Sequence, residues 1–497
     1  MNTIQNVNQN PFAQFSAEEE LSFLSEIFYQ PQSYDELKEL LSASISRFIL
    51  GQRGQGKSMV IYNLFQDLSQ NHTLPLLITR YDNIPLTNNE NYLLYLIMQA
   101  ITIGIAKLLF EKPEFRKKLT KDQETKLAFF IELFYEEHCA SEFIESAKEI
   151  KKIKSRNRWC RIYNKTILHF LNSMINGTIN ITSQQIRQSL NLGDTNTELT
   201  YKEYFKEIPA KPINSFTMVE VASWDRGKLM NMLNFLIQCA RSLDHDSIVV
   251  LFDKIDEFPL ISSDIEMVAN FTVEILKDTD LLLSDKISIV FSLWSEIKRA
   301  LSRRGVRFDK FQEIDIRWTN DDLIPLINKR LLYFSKSKEK PVTIEQLVPN
   351  KLDRDLIIEL STRSPRSLII LLGKIFTEPI NSIDGISFTS NAIANGMIKF
   401  CRTFDYESQQ PSKLGNREDL INWIDKILRI RKHTFSIEDV NTAFLQKANI
   451  SKTYIDTMLK LGLIIENDIR SNDQIQFDVI DPKLKFLISR GILKLEI

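Results

Sequence analysis

The sequence has few cysteines and histidines for its length, with four cysteines and five histidines in 497 residues. The cysteines, Cys139, Cys160, Cys239 and Cys401, are far apart and form no CxxC pair. This spacing lacks the usual zinc-ligand patterns and is typical of reduced thiols in a cytoplasmic protein. We therefore expect no structural zinc.

Neither sign of charge is in excess. The chain has 63 Lys and Arg against 64 Asp and Glu, a formal net charge of -1. This balance gives no overall attraction to nucleic acid or to an acidic membrane surface, so any basic binding surface must be local.

A secretion signal and a full-length membrane span are also lacking. Residues 1–11 are polar, with neither a basic start nor an apolar core, so we expect a cytoplasmic protein. The uncharged stretch 92–106 ends at Lys107 and is shorter than the ~20 residues that a membrane helix needs. A Thr87-x-x-Glu90 capping-box pattern precedes it. We predict a buried helix there and no membrane partner.

Glycine is scarce too, yet three of the 14 glycines lie in one run of eight residues that matches the phosphate-loop pattern GxxxxGK[ST]. A strand-like run, 46–50, precedes it and a helical pattern, 59–68, follows. Backbone N–H groups of such a loop bind phosphate, Lys57 reaches the outer phosphates and Ser58 ligates Mg²⁺. The alternative is a glycine-rich turn without a ligand. The candidate nucleotide-binding residues are Gly51, Gln52, Arg53, Gly54, Gln55, Gly56, Lys57 and Ser58.

The second half of a nucleotide site follows about 190 residues later as an apolar strand, 247–252, that ends in Asp253. An Asp at the end of a buried strand is well placed to hold Mg²⁺ beside the phosphates. Lys254 occupies the position where many P-loop ATPases have a glutamate that polarises water, and Asp256 and Glu257 follow. The run resembles the hhhDGhDE pattern of NACHT and other STAND-type signalling ATPases. This resemblance implies Glu257 or Asp256 as the base, although either residue could instead cap a turn or face solvent.

Further strand candidates at 74–80, 286–293 and 311–317 alternate with helical stretches, which predicts an α/β fold with a parallel sheet. The order of motifs resembles the AAA+ and STAND superfamily. That resemblance implies a polar sensor residue at the end of the next strand after the one that ends in Asp253, with Ser292 or Ser295 as candidates. It also implies an arginine finger, for which Arg303, Arg304 and Arg307 are candidates. The alternative for these arginines is a solvated face.

The rest of the chain resembles a helical lid, 319–408, and a C-terminal winged helix-turn-helix, 415–497. Within the lid, Ser364-Pro365-Arg366 resembles the sensor-2 segment of origin-recognition-type ATPases, so Arg366 would contact the γ-phosphate. An ion pair with a nearby carboxylate is the alternative. The predicted domains are an N-terminal flanking segment, 1–45, a P-loop core, 46–318, with a helical insertion at 111–215, the lid and the winged helix.

The insertion contains a basic stretch with interleaved aromatic residues, Trp159 and Tyr163. Its basic residues are candidate nucleic-acid contacts, with a solvated amphipathic helix as the alternative. They are Lys151, Lys152, Lys154, Arg156 and Arg158.

Taken together, these motifs resemble bacterial ATPases akin to origin-recognition proteins. The resemblance implies a Mg²⁺-dependent ATPase that uses ATP as a switch, forms a homo-oligomer, and acts either on DNA or in defence signalling with a separate effector protein. Lys254 keeps an alternative open, namely a nucleotide-holding scaffold that hydrolyses little or not at all.

Overall fold

The computed structural model describes residues 6–135, 224–409, 417–445, 448–471 and 474–496, apart from the single residues 71, 83, 263, 380 and 383. Most of the predicted insertion, including its basic stretch, lies outside the described residues. The nucleic-acid contact predicted there stays a prediction.

Five parallel strands form one sheet: β1 (Arg47–Leu50), β2 (Thr73–Ile78), β3 (Ser247–Phe252), β4 (Ile287–Leu293) and β5 (Glu313–Asp315). Their order is β2-β3-β4-β1-β5. β3 and β4 are buried along their whole length, which explains why their sequences are continuous apolar runs instead of alternating patterns. The predicted α/β parallel sheet is confirmed. The fifth strand is shorter than the predicted 311–317.

Helices cover both faces of the sheet, as the right-handed connections between parallel strands require. Phe48, Phe252 and Phe291 belong to the apolar core on one face, and Ile49, Leu251 and Val290 belong to the core on the other. The helices of this half are α1 (Leu24–Ile27), α2 (Tyr34–Ser42), α3 (Lys57–Leu68), α4 (Glu90–Glu111), α5 (Lys121–Tyr135), α6 (Arg226–Ser242), α7 (Ile265–Lys277), α8 (Thr279–Leu282) and α9 (Ile297–Arg303), with 3-10 turns at Pro113–Lys118 and Ile255–Glu257.

α4 contains the apolar stretch that was predicted to be a buried helix. The expectation that this stretch is too short for a membrane span is wrong, because within the described residues α4 is the one helix with the length and composition of such a span, over Glu90–Leu109. Its apolar side chains lie in the core of the domain, packed against β2 and α6. The predicted capping box is wrong, because the N-cap is Asn89 and not Thr87. The Asn89 amide instead donates a hydrogen bond to the Phe271 carbonyl at 2.7 Å.

Among the described residues, six helices lie between the sheet and the C-terminal part, and they are called here the lid. The first begins with a capping box, in which the Thr319 N–H donates to Asp322 Oδ2 at 2.8 Å. The six are α10 (Asn320–Phe334), α11 (Ile344–Leu347), α12 (Lys351–Leu360), α13 (Pro365–Phe376), α14 (Ser390–Arg402) and α15 (Tyr406–Gln409).

The C-terminal part combines helices with an antiparallel sheet in the order β6-β8-β7. A capping box at Ser436 and Asp439 begins the second helix. The short strand β6 and the last helix were not predicted, and the winged helix-turn-helix remains our interpretation of this part. Its elements are α16 (Arg417–Ile430), β6 (Thr434–Phe435), α17 (Ile437–Phe444), α18 (Ala448–Lys460), β7 (Ile464–Ser471), β8 (Gln474–Val479) and α19 (Pro482–Ser489).

Residues 6–20, called here the N-terminal segment, run along the lid helix α10. The Asn8 N–H donates to the Phe334 carbonyl at 2.9 Å, and the Lys336 N–H donates to the Asn6 carbonyl at 2.8 Å. The beginning of the chain is therefore hydrogen-bonded to the end of the first lid helix, which follows it by more than 300 residues.

Candidate nucleotide-binding site

The phosphate loop connects β1 to α3 and has the backbone shape that an anion requires. Gly54 and Gly56 adopt left-handed φ angles of 83° and 84°, which side-chain-bearing residues rarely adopt. Gly56 is the N-cap of α3 and has no side chain that could accept a hydrogen bond from the first turn. The N–H groups of that turn are thus available to phosphate oxygens.

The Lys57 side chain is held inside this loop. Its ammonium donates to the Gly51 carbonyl at 2.9 Å and to the Gln52 carbonyl at 3.3 Å, and the residue is 8% exposed. Burial lowers the pKa of Lys57, and the carboxylates of Asp256 and Asp253 oppose that shift. Positive and negative groups therefore meet at the carboxyl ends of β1 and β3.

Asp253 directly follows β3 and is 2% exposed. Its backbone is fixed on both sides, because its N–H donates to the Ile78 carbonyl at 3.0 Å and its carbonyl accepts from the Tyr81 hydroxyl at 2.7 Å. Its side-chain Oδ2 atom is buried and has no hydrogen-bond partner among the described residues. A buried carboxylate oxygen without a donor suits a cation. Ser58, the other predicted Mg²⁺ ligand, lines the same cleft.

The strand register places one sensor candidate next to Asp253. Phe252 pairs with Phe291, and their rings stack with centroids 4.6 Å apart. One residue further on, Asp253 lies beside Ser292, and both project from the opposite face of the sheet. Ser292 is fully buried and its hydroxyl has no partner in the described chain. Ser295 lies beyond the strand and is half-buried, so the geometry favours Ser292.

The two acids after Lys254 have different environments. Asp256 is 6% exposed, and burial raises its pKa to about 6. The Lys57 ammonium opposes this shift, whereas the neighbouring carboxylates add to it. Glu257 is more exposed and lies 3.9 Å from Arg53 in an ion pair, measured from Oε1 to Nη2. Both acids line the cleft.

The lid segment with the Ser-Pro-Arg motif touches the phosphate loop directly. The Gly54 carbonyl accepts hydrogen bonds from the Ser364 hydroxyl at 3.2 Å and from the Arg366 N–H at 3.3 Å. The Arg366 side chain lines the cleft and makes no ion pair with any described residue. Burial raises the pKa of Glu20, and the Arg366 charge opposes that shift. A structural interaction with this carboxylate therefore stays an alternative, and the sensor-2 role stays a prediction.

Replacing Gly54 with alanine is expected to weaken nucleotide binding and lower the melting temperature. The new Cβ would lie 2.5 Å from Ser364 Oγ, and the left-handed backbone would cost about 1–2 kcal/mol. Gly462→Ala is the control, because Gly462 is also left-handed but has no atom within 4 Å of an added Cβ. Thermal melting and titration with a fluorescent nucleotide separate the two effects. Equal losses of affinity in both variants would contradict a role for the contact between loop and lid.

Searches with the sequence found no matching protein-family model and no matching curated protein. The solved structures to which the chain is similar include the following two. The Aeropyrum pernix ORC2 protein in its ADPNP-ADP complexes shares 10% identity over 94% of this chain and 96% of that chain, with a TM-score of 0.40. Drosophila ORC bound to DNA shares 9% identity over 97% of this chain and 88% of that chain, with a TM-score of 0.27.

The arginine-finger candidates lie away from the cleft, around the end of α9. Arg304 donates to Glu266 at 2.5 Å, and Arg307 donates to Asp309 at 2.6 Å. Arg303 is exposed and makes no ion pair within the described chain. Intramolecular pairing thus favours the solvated-face interpretation for Arg304 and Arg307 and leaves Arg303 as the candidate finger.

Sequence reasoning missed several groups at the site. The Glu296 carboxylate, in the turn after β4, also favours the charged form of Lys57. The Trp318 indole donates to the Gln55 carbonyl of the loop at 2.9 Å. Neither residue belongs to a motif, so no sequence signal identified them. An apolar wall next to the loop was also missed, and it consists of Phe15, Phe28, Tyr29, Leu326 and Ile369.

Proposed function

We propose that this protein is an ATP-binding and ATP-hydrolysing molecular switch. The observation that carries the proposal is the meeting of Lys57, Asp253 and the Arg366 side chain in one cleft. The Oδ2 atom of Asp253 has no hydrogen-bond partner among the described residues. An ammonium, a guanidinium and a row of N–H groups suit a polyphosphate. The apolar wall beside them suits the nucleobase of a nucleotide.

Mg²⁺ fits the same cleft through Asp253 and Ser58. Their oxygens are the kind of ligand that Mg²⁺ prefers alongside nucleotide phosphates. When bound, the ion would neutralise charge on the β- and γ-phosphates. The protein's own part is to fix the nucleotide: the loop N–H groups and Lys57 position its phosphates, and Arg366 approaches from the lid.

For hydrolysis we propose Asp256 as the residue that polarises the attacking water. It is buried beside Lys57, the group that contacts the outer phosphates. A carboxyl group with a pKa of about 6 is ionised at neutral pH and is a stronger base than an ordinary aspartate. Glu257 is more exposed and is paired with Arg53, which supports a secondary role for it in hydrolysis.

The alternative function, a scaffold that holds nucleotide without hydrolysing it, is based on Lys254. Steady-state phosphate release by the parent protein tests this alternative.

The hydrogen bonds from the lid to the Gly54 carbonyl support a switch in which the state of the nucleotide is linked to the position of the lid.

ATP binding is proposed to drive oligomerisation, with Arg303 reaching the nucleotide of a neighbouring subunit. Arg303→Ala is expected to abolish ATP-dependent assembly, and Arg307→Ala is expected to preserve it, as measured by light scattering coupled to size-exclusion chromatography. A monomer that persists at saturating ATP in the parent protein would contradict this proposal.

The partner of the switch is proposed to be a separate effector protein, with DNA as the alternative. Acidic residues such as Asp456 and Glu466 offset Lys452 and Lys460 in the C-terminal part, which is unlike a groove-reading surface. Fluorescence anisotropy with labelled duplex DNA distinguishes the two partners, because tight, salt-sensitive binding by the full chain would favour DNA.

A further inference from the structure

The N-terminal segment forms part of the wall of the nucleotide cleft. Phe15, Ala17 and Glu20 line the cleft together with Lys57 of the phosphate loop and Asp253, which follows β3. A nucleotide bound there would contact this segment as well as the loop and the lid. Movement of the segment would therefore open one side of the cleft.

One end of this wall is fixed to the lid. Arg330 of α10 forms a buried ion pair with Glu20 at 2.5 Å, and the two side chains are 3% and 2% exposed. The same guanidinium donates to the Gln14 carbonyl at 2.6 Å and also to the Pro11 carbonyl. Phe12 packs edge-on against Phe376 of α13. The N-terminal segment therefore belongs structurally to the lid.

The other attachment of the N-terminal segment is to Lys254, two residues after the end of β3. The Lys254 ammonium pairs with Glu18 of the N-terminal segment at 2.5 Å. Lys254 has a left-handed φ of 61°, an uncommon conformation for a residue with a side chain. Among the described residues, this is the one ion pair that joins the N-terminal segment to the part of the chain that contains the parallel sheet.

We propose that the ion pair between Lys254 and Glu18 is a latch that holds the N-terminal segment and the lid closed over a bound nucleotide. The latch limits the rate of nucleotide release. The proposal rests on the nucleotide binding proposed above. It gives a function to Lys254, which replaces the glutamate that many P-loop ATPases have directly after the Mg²⁺-binding aspartate. Because Lys254 is the neighbour of Asp253, the latch is attached to the strand that would hold the metal ion.

The exposure of the two paired side chains determines how large an effect on nucleotide release we expect. The Lys254 and Glu18 side chains are 23% and 39% exposed, so solvent screens the pair and its contribution is modest. Breaking it is expected to accelerate nucleotide release about 2- to 5-fold. The association rate should change little, because the phosphate loop and Lys57 stay intact.

The test is stopped-flow release of a fluorescent ATP analogue from the full chain with Mg²⁺, chased with excess ATP. Glu18→Gln and Lys254→Met should each accelerate release, and the double variant should release no faster than the single variants. Exchanging the charges, with Glu18→Lys and Lys254→Glu together, should restore slow release. Glu19→Gln is the control, because Glu19 is an exposed neighbour whose carboxylate accepts from the N–H groups of Phe15 and Ser16 and makes no ion pair with a described residue.

Two results would overturn the latch. One is release from both single variants at the parent rate, and the other is additive acceleration in the double variant, since additivity would mean that the residues act independently. If the parent protein binds no nucleotide, the proposed function fails together with the latch. Binding with unchanged release rates removes the latch alone.

Discussion

Lys57→Met should weaken ATP binding at least about 100-fold, or about 2.7 kcal/mol. The Lys57 ammonium donates to the Gly51 and Gln52 carbonyls inside the loop, so it maintains the loop shape and supplies the charge that meets the outer phosphates. Methionine retains the length of the stem, so the packing of the loop against α3 is preserved while the charge is lost. Titration with a fluorescent ATP analogue measures the change.

Lys38→Met is the matched control for this variant. Lys38 lies on α2, outside the cleft, and pairs with Asp67 at 3.3 Å with both side chains about one-third exposed. Its loss should leave nucleotide affinity unchanged. Circular dichroism and thermal melting of Lys57→Met establish that it is folded. A folded Lys57→Met protein with the affinity of the parent would contradict the proposed role of the loop.

Asp256→Asn should reduce steady-state phosphate release about 100-fold or more while leaving ATP affinity within about twofold of the parent. The amide keeps the size of the carboxyl group but cannot accept a proton from water. The rate of the parent should also fall as the pH decreases through about 6, because the raised pKa means that the Asp256 carboxyl becomes protonated there. Phosphate release and nucleotide titration at pH 7.5 and pH 5.5 measure both effects.

Glu257→Gln and Glu296→Gln are the comparison variants. Both residues lie near Lys57, and each substitution should reduce the rate by less than about tenfold. An active Asp256→Asn protein beside an inactive Glu257→Gln protein would assign the base to Glu257 instead. A parent protein that binds ATP but releases no phosphate would favour the nucleotide-holding scaffold.

The parts of the site that sequence reasoning identified are contiguous in the chain. The phosphate loop is a single run of eight residues, and Asp253 follows a strand whose apolar sequence is unambiguous. The Ser-Pro-Arg motif begins an apolar helix with a serine cap, which is again a local pattern. For these three elements, chemistry and secondary structure are both encoded within a few residues.

The parts that sequence reasoning missed depend on contacts between distant residues. Arg330 is separated from Glu20 by 310 positions, and nothing near either residue specifies the partner. The position of Ser292 beside Asp253 follows from the register of two strands, which periodicity does not determine. β6 has only two residues and exists through its pairing with β8. Lys254 was identified as unusual, but its partner in the N-terminal segment was not.

The measurement that tests the central claim most directly is isothermal titration of the purified parent protein with ATP, with and without Mg²⁺. The account predicts one nucleotide per chain, and weaker binding when Mg²⁺ is removed or when Asp253 is changed to alanine. Absence of binding of ATP to the folded parent protein in the presence of Mg²⁺ would contradict it.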